Sequence, residues 1–474
     1  MRFFLGIDLG TSFFKAGIFD ETGKIHGLGR YPVEKNASGG NICELDVSVF
    51  WKTLRLCIWD AVKKSNISPR QIYALSYSSQ ANSFILLDEL DNPLIPMILW
   101  SDERVENESA QLKELISKSV FLYKTGLGIP PGKHSLVAKA GWFQSQRPRV
   151  WKKVRHIMSI SDYLLFILTG KRVSDMSTSS MTGLLDVQEG EWWQDALDTT
   201  GIDKKQLSNL SNVGNLVGHL TGKGAELVGL SPSTLMFSGG LDHHMVAIGA
   251  GIPYSGNISE STGTVLACVN YQSEYKPRIG VNIARGLDEN HFFQMAFNTN
   301  GAVVLDWYQS NYALGHSIPE LVALAESILP GCEGLVAKPS AHEYEGLKGF
   351  TGVKGGHTHA HFVRAILESI SLSLGELIKE LDKEGAQTIV PSGGGARSRV
   401  WLQIKAGMLN RRFLVPELNE LACKGAALLC IKGVSGCGDI DEVVDNQLKY
   451  EEVISPDADE VEKYKHWRND ITSK

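Results

Sequence analysis

The sequence predicts an α/β protein built from two similar domains. Three observations lead there. The chain has 474 residues, more than one hydrophobic core ordinarily serves. Short apolar runs alternate with helical stripes and glycine turns. One hairpin-like pattern occurs twice, about 250 residues apart, the mark of a duplicated unit. The boundary is expected near 245, dividing the chain into 1–245 and 246–474.

Residues 3–7 (FFLGI) form an apolar run stopped by Asp8-Leu9-Gly10-Thr11-Ser12, and Ala16-Gly17-Ile18-Phe19 is closed by Asp20-Glu21-Thr22-Gly23. An apolar run, a polar glycine-bearing tip and a second apolar run make a β-hairpin. Val49 to Lys64 carries Trp51, Leu54, Ile58 and Val62 on one helical stripe. Residues 72–76 and 84–88 read as strands flanking the polar segment Ser78-Ser79-Gln80-Ala81-Asn82. Leu235-Met236-Phe237 ends in Gly239-Gly240, and an apolar helix, Met245 to Ala250, begins just after Asp242. Ile258-Ser259-Glu260, Ser261-Thr262-Gly263-Thr264 and the apolar stretch 265–269 then repeat the opening hairpin. Ile366, Ile370, Leu374, Leu377 and Leu381 mark a long helix, with Gly385 past its end as a stop. Thr388-Ile389-Val390 is a strand, Gly393-Gly394-Gly395 a turn, and Val400, Ile404 and Met408 the next helix. Strand, glycine turn and helix is an arrangement that lets backbone lie against a nucleotide. The tail from about Cys437 is acidic and polar and is expected at the surface.

Composition excludes several function classes. With 43% hydrophobic and 21% charged residues the chain falls among globular proteins, neither disordered nor fibrous. A net charge of −6, with both signs interspersed, argues against a nucleic-acid partner. It does not oppose phosphate ligands, because backbone N–H groups bind phosphate without net positive charge. Seven cysteines without a CxxC pair suit a reducing compartment. Asp8 interrupts the stretch a signal peptide would need, and no apolar run reaches the roughly 18 residues of a membrane span. A cytoplasmic location with no membrane partner is expected.

Four motifs carry chemistry. The tip Asp8–Ser12 with Lys15 offers N–H groups and hydroxyls to phosphate oxygens, and Asp8 offers a carboxylate to magnesium. An ordinary polar turn would look similar, and the P-loop spacing GxxxxGK[ST] is absent. The second tip, Ser261–Thr264, gains meaning as a partner of the first, since two such turns grip a triphosphate from both sides. Asp242 follows two glycines at a helix start, where it serves either as an N-cap or as a general base for a hydroxyl nucleophile. The run Gly393–Gly395 has more glycine than a turn requires, which favours a nucleotide contact over a merely flexible loop. The alternating His357, His359 and His361 raise a metal site, but no carboxylate or cysteine stands at ligand spacing, so a surface location is expected. Asp242-His243-His244 also matches the triplet of manganese phosphoesterases, whose further Asp and His ligands are missing from the preceding chain.

Taken in order, these pieces resemble the FGGY family of carbohydrate kinases over nearly the whole chain. The matching segments are GIDLGTS at 6–12, SSQ at 78–80, ILWSDER at 98–104 and SISDYLLFILTGKRVSDMS at 159–177. Further on come GGLDHHMVAIGAG at 239–251, STGTVL at 261–266, PSGGGARSRVW at 391–401 and CKGAALL at 423–429. The resemblance implies two actin-like (ribonuclease H-like) domains with a central cleft. It implies transfer of the γ-phosphate of ATP, with Mg2+, to a hydroxyl of a small sugar or polyol. In that pattern Asp242 matches the catalytic base, Asp8 the magnesium-linked carboxylate, and Gly10, Thr11, Ser12 and Lys15 the first phosphate turn. Thr262, Gly263 and Thr264 match the second turn, Gly394, Gly395 and Ala396 the adenine-side turn, and Gln80, Ala81, Asn82 and Asp102 the sugar contacts. The sugar is expected mainly on the N-terminal domain and ATP mainly on the C-terminal one.

At the sugar segment the sequence departs from its relatives. Xylulose kinases carry Met-His after the glutamine and glycerol kinases Arg-Glu, whereas Ala81-Asn82 stand here. Lys338–Glu343 also lacks the family's usual Gly-Glu-Arg turn. A ketopentose or deoxyketohexose, such as xylulose or fuculose, is the expected acceptor, and a homodimer is the assembly allowed for. The competing expectation is a non-catalytic, nucleotide-gated sugar sensor on the same fold, which would have no need of a carboxylate at Asp242.

Overall fold

In a computed structural model, residues 1–36, 41–255, 257–263, 265–382, 385, 388–435 and 449–472 are described. The first half supplies strands β1 (Phe3–Leu9), β2 (Phe13–Asp20) and β3 (Ile25–Pro32), helix α1 (Val47–Ser65), and strand β4 (Ile72–Ser79). Strands β5 (Leu216–His219), β6 (Leu235–Phe237) and β7 (Gly240–Leu241) follow, then helix α2 (Asp242–Gly249). The second half supplies β8 (Ile258–Thr262), β9 (Leu266–Gln272), helix α3 (His359–Leu381), β10 (Ile389–Ser392), helix α4 (Arg399–Leu409) and β11 (Phe413–Pro416). Helix α5 (Leu421–Ser435), strand β12 (Tyr450–Ile454) and helix α6 (Ala458–Thr472) complete it.

The chain divides into two units. Met1–Tyr254, Tyr271–Gln294 and Glu420–Gln447 make the first; Ser255–Asn270, Met295–Asn419 and Leu448–Lys474 make the second. The expected boundary at 245 falls inside α2. In the first unit the strands run β5-β6-β4-β1-β2-β3, with β7 also on β4. Strand β2 is antiparallel to β1, while β4 is parallel to β1 and β6 parallel to β4. The second unit repeats that pattern: β9 is antiparallel to β8, β10 parallel to β8, and β11 parallel to β10. Both predicted hairpins therefore occupy the same place in two ribonuclease H-like sheets.

Strand β1 is buried along its whole length, as an inner strand covered on both faces must be. Gly6 lets α5 lie directly on it, because a Cβ there would stand 1.9 Å from the carbonyl oxygen of Cys423. The predicted helical stripe of α1 packs its buried face, which includes Trp51, Leu54 and Ile58, into the same core. Among the described residues no helix is long and apolar enough to cross a membrane.

Two expectations need correcting. The tail is not simply a polar surface segment: β12 pairs with β11, and Tyr464 on α6 is buried. The Tyr464 hydroxyl donates to Glu368 at 3.0 Å and accepts from Arg364 at 2.8 Å, both on α3. Helix α6 is polar on average, which conceals Val461 and Tyr464 on its one buried face. Cys437 lies outside the described residues. The histidine run is not wholly at the surface either. His361 is buried and caps the start of α3 by accepting from the Thr358 N–H, while His359 stands 2.9 Å from the Tyr308 hydroxyl. Among the described residues no three His, Cys, Asp or Glu side chains are grouped to hold a metal ion.

Within the first unit, the helix Ile160–Thr169 and the strand Val173–Asp175 bring two buried carboxyl groups into a wall of hydroxyls. Ser159 and Ser174 donate to Asp162 at 2.5 and 2.8 Å, and Tyr77 donates to Asp175 at 2.9 Å. Burial outweighs these bonds and pushes Asp162 up to about 7 and Asp175 up to about 6. A folded-state value above the unfolded one of about 3.9 means that the native state keeps protons the unfolded state has released. Stability therefore falls as pH rises from about 4 to 7, by on the order of 1 kcal/mol per pH unit. Urea unfolding across that range is expected to show a shallower decline for Asp162→Asn. An unchanged slope in the variant would exclude Asp162 as its source.

Candidate active site

In the first unit the chemistry gathers at the carboxyl ends of parallel strands, where open α/β sheets place their ligands. Register puts Asp8 of β1 beside Ser78 of β4, and Ser78 beside Gly240 of β7. Asp242 comes two residues after Gly240, as the first residue of α2, and its carboxylate accepts the His243 N–H at 2.8 Å. It is not an N-cap, since that position belongs to Leu241. The positive end of the α2 dipole therefore lies at this side chain.

Asp8 accepts from the Ser78 hydroxyl at 2.9 Å and faces Lys15 Nζ at 3.6 Å. Burial pushes its carboxyl above the usual range against the pull of Lys15, and the negative charges of Asp242 and Glu420 push it further. Lys15, expected to meet phosphate, bridges Asp8 and Glu420, the latter at 2.8 Å. Burial lowers its ammonium, but the two carboxylates outweigh that and raise it. Glu420 was not foreseen; its sequence signal is an acid immediately before the helix that carries CKGAALL.

The first tip is tied to the sugar segment. The Trp100 indole N–H donates to Thr11 Oγ1 at 2.7 Å, and Thr11 donates to Gln80 Oε1 at 3.4 Å. Ser83 donates to the same Gln80 oxygen at 2.9 Å, while Gln80 Nε2 donates to the Leu9 carbonyl at 3.3 Å. Gly10 and Thr11 are half-buried and Ser12 is exposed. Ala81 and Asn82 are half-buried; Asn82 has a φ of 60° and accepts the Leu136 N–H at 3.0 Å. Asp102 is fully covered. Arg104 donates to it at 2.7 and 2.9 Å, and the Cys43 N–H at 2.7 Å. Burial raises its carboxyl, but these bonds prevail and hold it below the usual range. Asp102 thus anchors the turn that carries Trp100. Lys139 supports the same turn by donating to the Leu99 and Trp100 carbonyls, each at 2.8 Å.

Two glycines set the position of α2. A Cβ on Gly249 would lie 2.0 Å from the Leu421 carbonyl oxygen, and one on Gly425 would lie 2.1 Å from that of Met245. Helices α2 and α5 therefore cross backbone to backbone, which fixes where Asp242 begins.

In the second unit, parallel register sets Ser261 of β8 beside Ser392 of β10. The second tip and the glycine run consequently lie side by side: a Cβ on Gly395 would approach the Thr262 Cβ to 2.8 Å, and Gly393 has a φ of 74°. Gly394 is exposed, whereas Gly395 and Ala396 are buried. Gly263 accepts the Ala302 N–H at 2.7 Å. Thr264 lies outside the described residues.

Comparison with known proteins agrees with both halves. Residues 3–249 match the FGGY family of carbohydrate kinases, N-terminal domain, and residues 327–433 match its C-terminal domain. The chain is 29% identical to the xylulose kinase of Bacillus subtilis (strain 168), over 98% of this chain and 95% of that protein. It is 28% identical to the gluconokinase of the same strain, over 93% and 88%. The crystal structure of xylulose kinase from Rhodospirillum rubrum has a TM-score of 0.88 at 25% identity, covering 100% of this chain and 98% of that one. With two ribonuclease H-like sheets, an acidic strand-end cluster in one and a threonine–glycine turn in the other, the chain belongs to the FGGY family of carbohydrate kinases and is an ATP-dependent sugar phosphotransferase.

Proposed function

We propose that this kinase phosphorylates a neutral ketose, a ketopentose or deoxyketohexose, with Asp242 as general base. The observation that carries the reading is the strand-end cluster, in which register sets Asp8 beside Ser78 and Ser78 beside Gly240, with Asp242 two residues further on at the start of α2. Its charged members are Asp8, Asp242 and Glu420 with Lys15, and Lys15 is committed to two of the three. Such a cluster suits hydroxyl groups and repels the carboxylate of an aldonate such as gluconate. The similarity to xylulose kinases points the same way. Gln80, Ala81 and Asn82 would line the sugar side, with Asp102 behind them holding the Trp100 turn.

Gly10, Thr11 and Ser12 of the first unit and Thr262, Gly263 and Thr264 of the second would each offer groups to the phosphates of ATP, with Gly394, Gly395 and Ala396 toward the adenine. The glycine run fits that task, since larger residues would fill the approach to Thr262. The oxygen donor Asp8 fits a hard divalent cation held through water rather than in a cage of three side chains. Magnesium, when bound, neutralises charge on the phosphate oxygens. Asp242 takes the proton of the sugar hydroxyl while that oxygen bonds to the γ-phosphorus and the bond to ADP breaks. A coupled ADP-release assay over ketopentoses, deoxyketohexoses, polyols and gluconate tests the assignment. The expected result is a kcat/KM for a ketose at least about ten-fold above that for gluconate, a discrimination of roughly 1.4 kcal/mol. Highest activity on gluconate would overturn the choice of sugar.

A further inference from the structure

An ion pair beneath the second tip is not used by the chemistry above. Glu260 stands within β8 and Lys405 on α4, and both side chains are completely buried. Lys405 Nζ donates to Glu260 Oε1 at 2.6 Å and to Thr262 Oγ1 at 2.9 Å. The Thr262 hydroxyl donates in turn to Glu260 Oε2 at 2.7 Å. Carboxylate, ammonium and hydroxyl thus form a closed ring, and Nζ also lies 4.8 Å from the centroid of the Trp401 ring. A Cβ on Gly395 would sit 3.4 Å from Nζ, so the ammonium lies under the turn and the glycine run together.

A fully buried ion pair is poor value as a core element, because apolar side chains of similar shape usually stabilise a fold as well or better. What the ring supplies is direction. The Thr262 oxygen is both donor and acceptor within it, which fixes its rotamer and the backbone leading into Gly263. We propose that Glu260 and Lys405 are positioning residues that set the Thr262–Gly263 turn against Gly393–Gly395 before ATP arrives. The proposal rests on the reading of this turn as an ATP contact.

Lys405→Met alone would leave a buried carboxylate unpaired, so the informative variant is the double substitution Glu260→Leu with Lys405→Met, which removes both charges. It is expected to unfold at or above the wild-type temperature and to keep its sugar KM within about two-fold. Its ATP KM should rise about ten-fold, equivalent to about 1.4 kcal/mol. Glu260→Gln with Lys405→Met retains an amide oxygen for the Thr262 hydroxyl, and its ATP KM should rise only about three-fold, a graded restoration that a role in stability alone would not produce. An ATP KM within two-fold of wild type in whichever double variant folds overturns the proposal while leaving the kinase reading intact. A wild-type enzyme without saturable dependence on ATP overturns both.

Discussion

Replacing Asp242 by Asn is expected to lower kcat by roughly 10²–10⁴, the usual contribution of a positioned general base. Asparagine is nearly the same size, keeps an oxygen for the His243 N–H and leaves the start of α2 unchanged. Affinity for ATP, measured by calorimetry, should stay within a few-fold of wild type while ADP release in the presence of sugar collapses. The substitution also removes a negative charge that raises Asp8, so the Asp8 carboxyl should move down toward its ordinary range. That shift, followed by carboxyl NMR, is independent of turnover. A variant with near-normal kcat would remove Asp242 from the mechanism.

The second large effect is expected at Gly425→Ala. The added methyl would meet the Met245 carbonyl oxygen at 2.1 Å, and backbone on both helices has no rotamer through which to yield. Overpacking of this kind typically costs 1–3 kcal/mol and occasionally more, and here the strain falls on the helix that begins with Asp242. Both thermal stability and kcat should fall, with kcat lost even below the unfolding transition. Gly222 makes a suitable control, since a Cβ there meets nothing within 4 Å and Ala should be neutral or slightly stabilising. If Gly425→Ala unfolds at the wild-type temperature, the close crossing of α2 and α5 is wrong.

What the sequence reveals here is local. Both hairpins, α1, α3 and the strand–glycine–helix segment are legible because each is specified by the period of its own apolar residues. Asp242 is legible because two glycines and a helix start surround it. Lys15 is visible too, but its partner Glu420 lies some 400 residues away, and no spacing rule links them. Glu260 and Lys405 stand in apolar stripes where a charge looks like an interruption; only the facing element explains either. Asp102 is assigned to the sugar by the family resemblance of the segment ILWSDER, whereas its covering by Arg104 and Cys43 depends on the folded turn. Tyr464 is concealed by the polarity of its neighbours and identified by the pocket of Arg364 and Glu368 it enters.

Helix α5 covers β1 of the first unit, although 412 chain positions separate Leu9 from Leu421. During synthesis the ribosome therefore delivers nearly the whole second unit before the first can be sealed. Until then Gly6 presents bare backbone to water and Lys15 lacks Glu420. The N-terminal sheet must wait in an incomplete, adhesive form, a state in which chaperones find their clients and from which a chain shortened before Leu421 would not escape.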